Sequence, residues 1–215
     1  MNQPERRRYL IEELLKEHPE YAKMEIPKER DAQKMLLRSL MNIRMPGNTK
    51  AEFLRVQDAY LLEENEKKGV VTLADMEELE PDLFIWRVDI TRLKVGAIVN
   101  AANSRMTGCY QPCHNCIDNC IHTYAGIQLR SYCDAMMRKQ GYEEPTGQAK
   151  ITPSFNLPCE YVIHTVGPIV HGVLTQREEK LLISCYESCL RIAEEYHVES
   201  IAFCCISTGV FCFPN

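Results

Sequence analysis

Apolar residues recur at helical spacing over the first third of the chain. Leu10, Ile11, Leu14 and Leu15 mark a first helix that His18–Pro19 stops, and Met35, Leu36, Leu37, Leu40 and Met41 mark a second that ends before Pro46–Gly47. A third run covers roughly 51–66 and stops at Gly69. Such stripes are read as helix packing. The charged segment 1–75 therefore forms a helical extension with no legible chemistry of its own.

After Pro81 the period changes. The runs Leu83–Phe84–Ile85–Trp86, Gly96–Ala97–Ile98–Val99, Tyr161 to Val166 and Ile201 to Ile206 are too short and too β-branched for helices and predict buried strands. Between them, 117–139 and 178–196 predict helices, the first weakened in its middle by Gly126. Leu181, Leu182, Cys185, Cys189 and Ile192 line one face of the second. Strands alternating with helices imply a largely parallel sheet covered on both faces, with a ligand crevice outside the carboxyl ends of the strands. The turn Asn100–Ala101–Ala102–Asn103–Ser104 follows one strand and Ser207–Thr208–Gly209 another, so both fall where that crevice belongs.

Composition narrows the class. A net charge of −5 without a long basic run argues against a nucleic-acid backbone binder. No stretch is apolar enough to span a bilayer, and the N-terminus lacks the apolar core of a secretory signal. Eleven cysteines, an odd number, include Cys204 and Cys205 in an apolar strand pattern where thiols act as small hydrophobes, which fits a reducing cytoplasm. Three thiols and one imidazole crowd into the eight residues from Cys109 to Cys116. They suggest a metal at the crevice mouth.

Five motifs in order resemble the macrodomain family, which binds ADP-ribose. They are Val88–Asp89–Ile90–Thr91, the Asn100 to Ser104 turn, Ile117–Asp118–Asn119 leading to Ile121–His122, Gly147–Gln148–Ala149, and Ser207–Thr208–Gly209–Val210–Phe211. The resemblance implies a three-layer α/β/α macrodomain over 76–215 with a mixed, largely parallel central sheet, preceded by the helical extension. Where most hydrolytic members carry glycines, Cys109 to Cys116 looks like the zinc-dependent branch. Its C-x4-H-x-C spacing selects Cys109, His114 and Cys116 as Zn²⁺ ligands and leaves Cys113 outside. Two thiolates and an imidazole suit Zn²⁺ and leave a fourth position open; a closed site with Cys113 as fourth ligand is the structural alternative.

The remaining roles follow from the same resemblance, each beside a plainer reading. Asp118 serves as base or water-positioner facing the proximal ribose, or as a carboxylate favoured by a helix N-terminus. Asp89, with the Ile90 backbone beside it, receives the adenine amino group, or is a solvated strand-end acid. Asn103 binds ribose hydroxyls or closes an Asx turn. Ser207, Thr208, Gly209, Val210 and Phe211 form a nest of N–H groups around the pyrophosphate, or an ordinary turn with Phe211 in the core. His122 and His164 are read as structural, His122 satisfying a local hydrogen bond, and Cys212 as a packed thiol.

The implied function is a zinc-dependent hydrolase that removes mono-ADP-ribose from modified protein side chains, with an Asp or Glu ester as the scissile linkage. A non-catalytic ADP-ribose reader and an inactive truncated form are the alternatives, and the C-x4-H-x-C loop separates hydrolase from reader. By family analogy the modified partner is a lipoyl-carrier protein, with no nucleic acid and no membrane involved. Two departures stand out: Val88 replaces a glycine usual in the family, and a complete member would continue past Phe213–Pro214–Asn215 with further helix and strand.

Overall fold

The computed structural model describes every residue except Ala22, Val88 and Asn215. The Val88 departure therefore lies outside the described residues. The extension forms three helices, α1 (Gln3–Lys16), α2 (Arg30–Ile43) and α3 (Ala51–Lys68). Asn2 caps α1 with a reciprocal bond from Glu5, and Gly69 ends α3 with a positive φ. The predicted stripes face one another: Leu10, Ile11 and Leu14 pack with Leu37, Leu40, Met41, Phe53, Val56 and Leu61, and Ile127 joins them from the main domain. Burial of this apolar face, more than helix propensity, holds the three helices together.

The central sheet has the order β4 (Ala149–Pro153), β5 (Tyr161–Val166), β3 (Ala97–Ala102), β6 (Ile201–Ala202). β3 runs parallel to both β5 and β6, and β4 is antiparallel to β5, so the sheet is mixed and largely parallel. Alternation along β3 feeds both faces. Ile98 and Ala102 point to a layer made by α4 (Ile117–Ala125) and α5 (Ile127–Gln140). Ala97 and Val99 point to α6 (Gln176–Glu195) and its Cys185 and Cys189. This is the three-layer α/β/α arrangement that the resemblance implies.

Three expectations change. Leu83 to Trp86 is not a buried strand of the sheet: β2 (Leu83–Phe84) pairs only with β1 (Glu78–Glu80) in an exposed antiparallel hairpin. Acidic residues on β1 and at Asp82 keep that hairpin in water. The Ile201 to Ile206 run has only its first two residues in the ladder, half-buried at a sheet edge, and the rest leaves as a loop. The 117–139 helix breaks in two at Gly126, whose φ of +100° a side chain rarely adopts; a Cβ there would sit 2.7 Å from Gln57 Nε2. β4 had no apolar run to reveal it, and its terminal Pro153 is tolerated because β4 is an edge strand. Among the described residues, no helix is long and apolar enough to cross a membrane.

Candidate active site and metal loop

The turn after β3 and the start of α4 meet around one carboxylate. Asn100 shares a face of β3 with Ile98 and Ala102, so strand parity buries an amide beside the first turn of α4. Its Nδ2 donates to Asp118 Oδ1 at 2.8 Å and lies 3.1 Å from His164 Nδ1, its register partner on β5. Asn103 Nδ2 donates to Asp118 Oδ2 at 3.2 Å and to the Gly108 carbonyl, while its Oδ1 accepts from the Arg105 N–H. The Asx turn is real, and it aims the amide at Asp118. Burial pushes the Asp118 carboxyl up to about 6, against the pull of the Asn100 and Asn103 bonds and the Arg130 charge.

Thr152 fixes the far end of this chain of contacts. His164 Nε2 lies 3.0 Å from Thr152 Oγ1. Because Asn100 Nδ2 is a donor, His164 Nδ1 must accept and its proton must sit on Nε2. Burial lowers His164 to about 3, so the ring is neutral. His122 differs from expectation. Both of its ring nitrogens are buried without a hydrogen-bond partner, and Nε2 is 3.6 Å from Asp118 Oδ1. Gly108 lies flat against this ring: its φ is +80°, and a Cβ would fall 2.7 Å from His122 Cγ.

The acid stability of the metal-free chain follows. His164 and His122 stay neutral when folded but take up protons near pH 6.5 once unfolded, so stability falls as pH drops from about 6.5 toward 3. Each such proton contributes a limiting slope of about 1.4 kcal/mol per pH unit, and the raised Asp118 offsets about one of them between its unfolded value and pH 6. Urea midpoints measured from pH 7 to 4 should fall, and His164→Asn should flatten the slope. An unchanged slope in that variant would refute the assignment.

Cys109 Sγ, His114 Nδ1 or Nε2 and Cys116 Sγ lie within 4.8 Å of one another, and Cys109 Sγ is 3.7 Å from His114 Nδ1. Tetrahedral zinc with its usual S and N bond lengths needs a separation of roughly 3.6 Å, so the donor set fits that ion. Burial pushes the Cys116 thiol up to about 12 in the absence of any cation. Its Sγ also caps α4, accepting from the Asn119 N–H at 3.4 Å. Cys113 faces away from this cluster: its Sγ contacts Ser39 Oγ at 3.2 Å and the Met35 carbonyl, both on α2. Its φ of +53° turns the chain between Cys113 and His114.

The extension, which shows no chemistry in its sequence, holds this loop. Arg38 Nη2 donates to the His114 carbonyl at 2.7 Å and to Asn119 Oδ1 at 3.0 Å. Asn42 Oδ1 accepts from the Cys113 N–H at 2.9 Å, and Asn42 Nδ2 donates to Thr123 Oγ1. Arg130 on α5 donates to the carbonyls of Asn42, Arg44 and Cys109 and stacks 4.2 Å from the Tyr110 ring. Arg130→Met would remove the side-chain donor to the carbonyls of Met41, Asn42, Arg44 and Cys109. It should cost about 3 kcal/mol or more in a urea melt. A variant as stable as the parent would contradict this clamp.

Asp89 caps a short 3-10 turn (Ile90–Arg92), its Oδ1 accepting from the Thr91 N–H and hydroxyl. Its other oxygen lies 3.6 Å from Lys68 Nζ, and Ile90 beside it is buried. The segment from Ser207 to Phe211 follows β6 as a series of turns. Ser207 has φ +65°, Thr208 bonds back to the Cys205 carbonyl, and Gly209 accepts from the Cys212 N–H. The Phe211 carbonyl accepts from the Val170 N–H, and Val210 is 73% exposed. Phe211 is half-buried and lies outside the core clusters, and Cys212 is exposed, so neither packs as its plainer reading held. No hydrogen bond joins this turn to the Asn103–Asp118 group among the described residues; they share only the carboxyl end of the sheet.

The Macro domain family model matches residues 99–215. The chain belongs to the macrodomain family. A protein named protein-ADP-ribose hydrolase from Treponema medium is 61% identical over 218 residues, covering 100% of this chain and 84% of its own length. Its namesake from Staphylococcus aureus strain MSSA476 is 44% identical, covering 96% of this chain and 78% of its own. Among solved structures, the Trypanosoma brucei macrodomain in complex with ADP-ribose superposes with a TM-score of 0.60 at 26% identity, covering 82% of this chain and 76% of that one. The Oceanobacillus iheyensis macrodomain with ADP gives 0.54 at 39% identity, covering 59% and 65%.

Proposed function

We propose that this macrodomain is a zinc-dependent hydrolase that releases mono-ADP-ribose from modified protein side chains, with an Asp or Glu ester as the linkage. The observation that carries the reading is the junction of two groups at the start of α4. The Cys109–His114–Cys116 donors converge there, and Asp118, two residues on, is held by two asparagine amides. The relatives that span nearly the whole chain, and that carry the hydrolase name, support it.

Bound zinc would supply a Lewis acid, softened by two thiolates, that orients a ribose hydroxyl or water. The chain's own residues do the rest. Asp118, with both oxygens fixed by Asn100 and Asn103, accepts the proton of the water that attacks the ester. It returns that proton to the departing oxygen as the ester C–O bond breaks, so that ADP-ribose and the side-chain carboxylate separate. Asn103 exchanges its 3.2 Å contact to the Gly108 carbonyl for a ribose hydroxyl. Asp89 Oδ2, the oxygen that does not cap the 3-10 turn, accepts from the adenine amino group next to the Ile90 backbone. Ser207, Thr208, Gly209, Val210 and Phe211 offer backbone N–H groups to the pyrophosphate.

The test is release of free ADP-ribose from a mono-ADP-ribosylated protein bearing carboxylate-linked modifications, followed by chromatography. The zinc-loaded protein should release it, and prior chelation should stop release while leaving most binding of free ADP-ribose intact. Tight binding without release from zinc-loaded protein would instead make the domain a reader.

A further inference from the structure

A cleft of about 520 Å³ opens between α2, α3 and the back of the metal loop, where Asn115 and Cys113 reach its edge. That size lies in the range of sites that bury a compact ligand or a short stretch of peptide, roughly 300–1,000 Å³. Its rim is cationic. Lys34, Arg38, Lys67 and Lys68 line it against a single lining carboxylate, Glu64, which is already bound by Lys34 and Gln3. Glu63, outside the lining, serves Lys67 together with Arg6.

Arg38 has no carboxylate partner, and Lys68 has only a long ion pair, to Asp89 at 3.6 Å. Arg38 donates to the His114 carbonyl, Asn119 Oδ1 and the Cys120 thiol, none of them charged partners, and its Nε has no acceptor. Lys68 Nζ makes no hydrogen bond; it sits 2.8 Å over the Tyr124 ring and 3.6 Å from Asp89. The floor is apolar, built by Leu37, Met41 and Leu61, with Met35 exposed at the lip. Methionines at such a surface adapt to varied side chains. Helix flanks make up most of the wall, and no glycine lines it.

We propose that this cleft docks an acidic, leucine-studded segment of the ADP-ribosylated protein, steering the modified side chain toward the metal loop. The proposal rests on the hydrolase reading for the identity of the partner, but not for the cleft's preference for acidic peptide. The extension thus has two tasks: α2 braces the metal loop from behind, and α2 with α3 receives the substrate protein.

The test uses the full chain and a fluorescein-labelled octapeptide of alternating Glu and Leu, with a Gln–Leu analogue as control, read by anisotropy. The Glu peptide should bind at least tenfold tighter than the Gln peptide, and added salt should weaken it. Lys34→Glu with Lys67→Glu should reduce that binding at least tenfold, and the milder Lys34→Gln with Lys67→Gln should reduce it less while keeping the fold. In turnover, the charge reversal should raise KM for the modified protein with kcat unchanged. Equal binding of both peptides, or indifference to the substitutions, would overturn the proposal. Displacement of the peptide by an oligonucleotide at equal charge would also overturn it in favour of a nucleic-acid site. If the peptide results hold but no ADP-ribose is ever released, the hydrolase reading fails and the acidic-peptide cleft stands.

Discussion

Cys116→Ser is expected to lose the bound ion and to lower ADP-ribose release by at least about a hundredfold, while Cys113→Ser keeps both. The contrast rests on geometry. Cys116 Sγ sits within 4.8 Å of the Cys109 and His114 donors, whereas Cys113 Sγ points into α2 at Ser39 and Met35. A hydroxyl replaces a soft thiolate poorly in a zinc site. Cys116 also caps α4, so serine, itself a good cap, separates metal loss from helix loss. Metal analysis of the purified variants alongside turnover decides it. If Cys113→Ser strips the ion as fully as Cys116→Ser does, the site is a closed four-ligand one.

Asp118→Ala should lower turnover by roughly two to four orders of magnitude, the usual worth of a positioned general base, with ADP-ribose affinity changed only a few-fold. Such a split marks an interaction made mainly in the transition state. The alanine variant removes one acceptor from each of the Asn100 and Asn103 amides, which keep His164 and the Gly108 carbonyl, so some stability is lost as well. Asp118→Asn preserves volume and tests chemistry apart from packing. Equal losses in affinity and turnover would place Asp118 in ligand binding, not in proton transfer.

Much of this was legible along the chain. The helical stripes of the extension, β3, β5 and α6 were marked by periodicity strong enough to survive tertiary context. Cys109, His114 and Cys116 were singled out through the resemblance to the zinc-dependent branch, and the outward turn of Cys113 agrees with its exclusion from that set. What sequence missed depends on contacts between distant segments. Arg38 and Asn42 lie on a helix whose pattern shows only packing, yet they meet the 113–119 stretch more than seventy residues away. Asn100 was visible as part of a motif, but its buried role follows from strand parity, a signal that was there to be used. The run 201–206 misled because apolar composition does not reveal how few of its residues find a ladder partner. The 83–86 run misled because four apolar residues beside Glu78, Glu80 and Asp82 bury too little surface to leave water. His122 was expected to satisfy a local bond, yet both of its ring nitrogens are buried without a partner.

The most direct measurement is ADP-ribose release from a carboxylate-modified protein by the same preparation before chelation, after it, and after zinc is restored. Release, loss and recovery are expected in turn, with recovery following one equivalent of zinc per chain and absent in Asp118→Ala. Release that persists undiminished in the fully demetallated protein would contradict it.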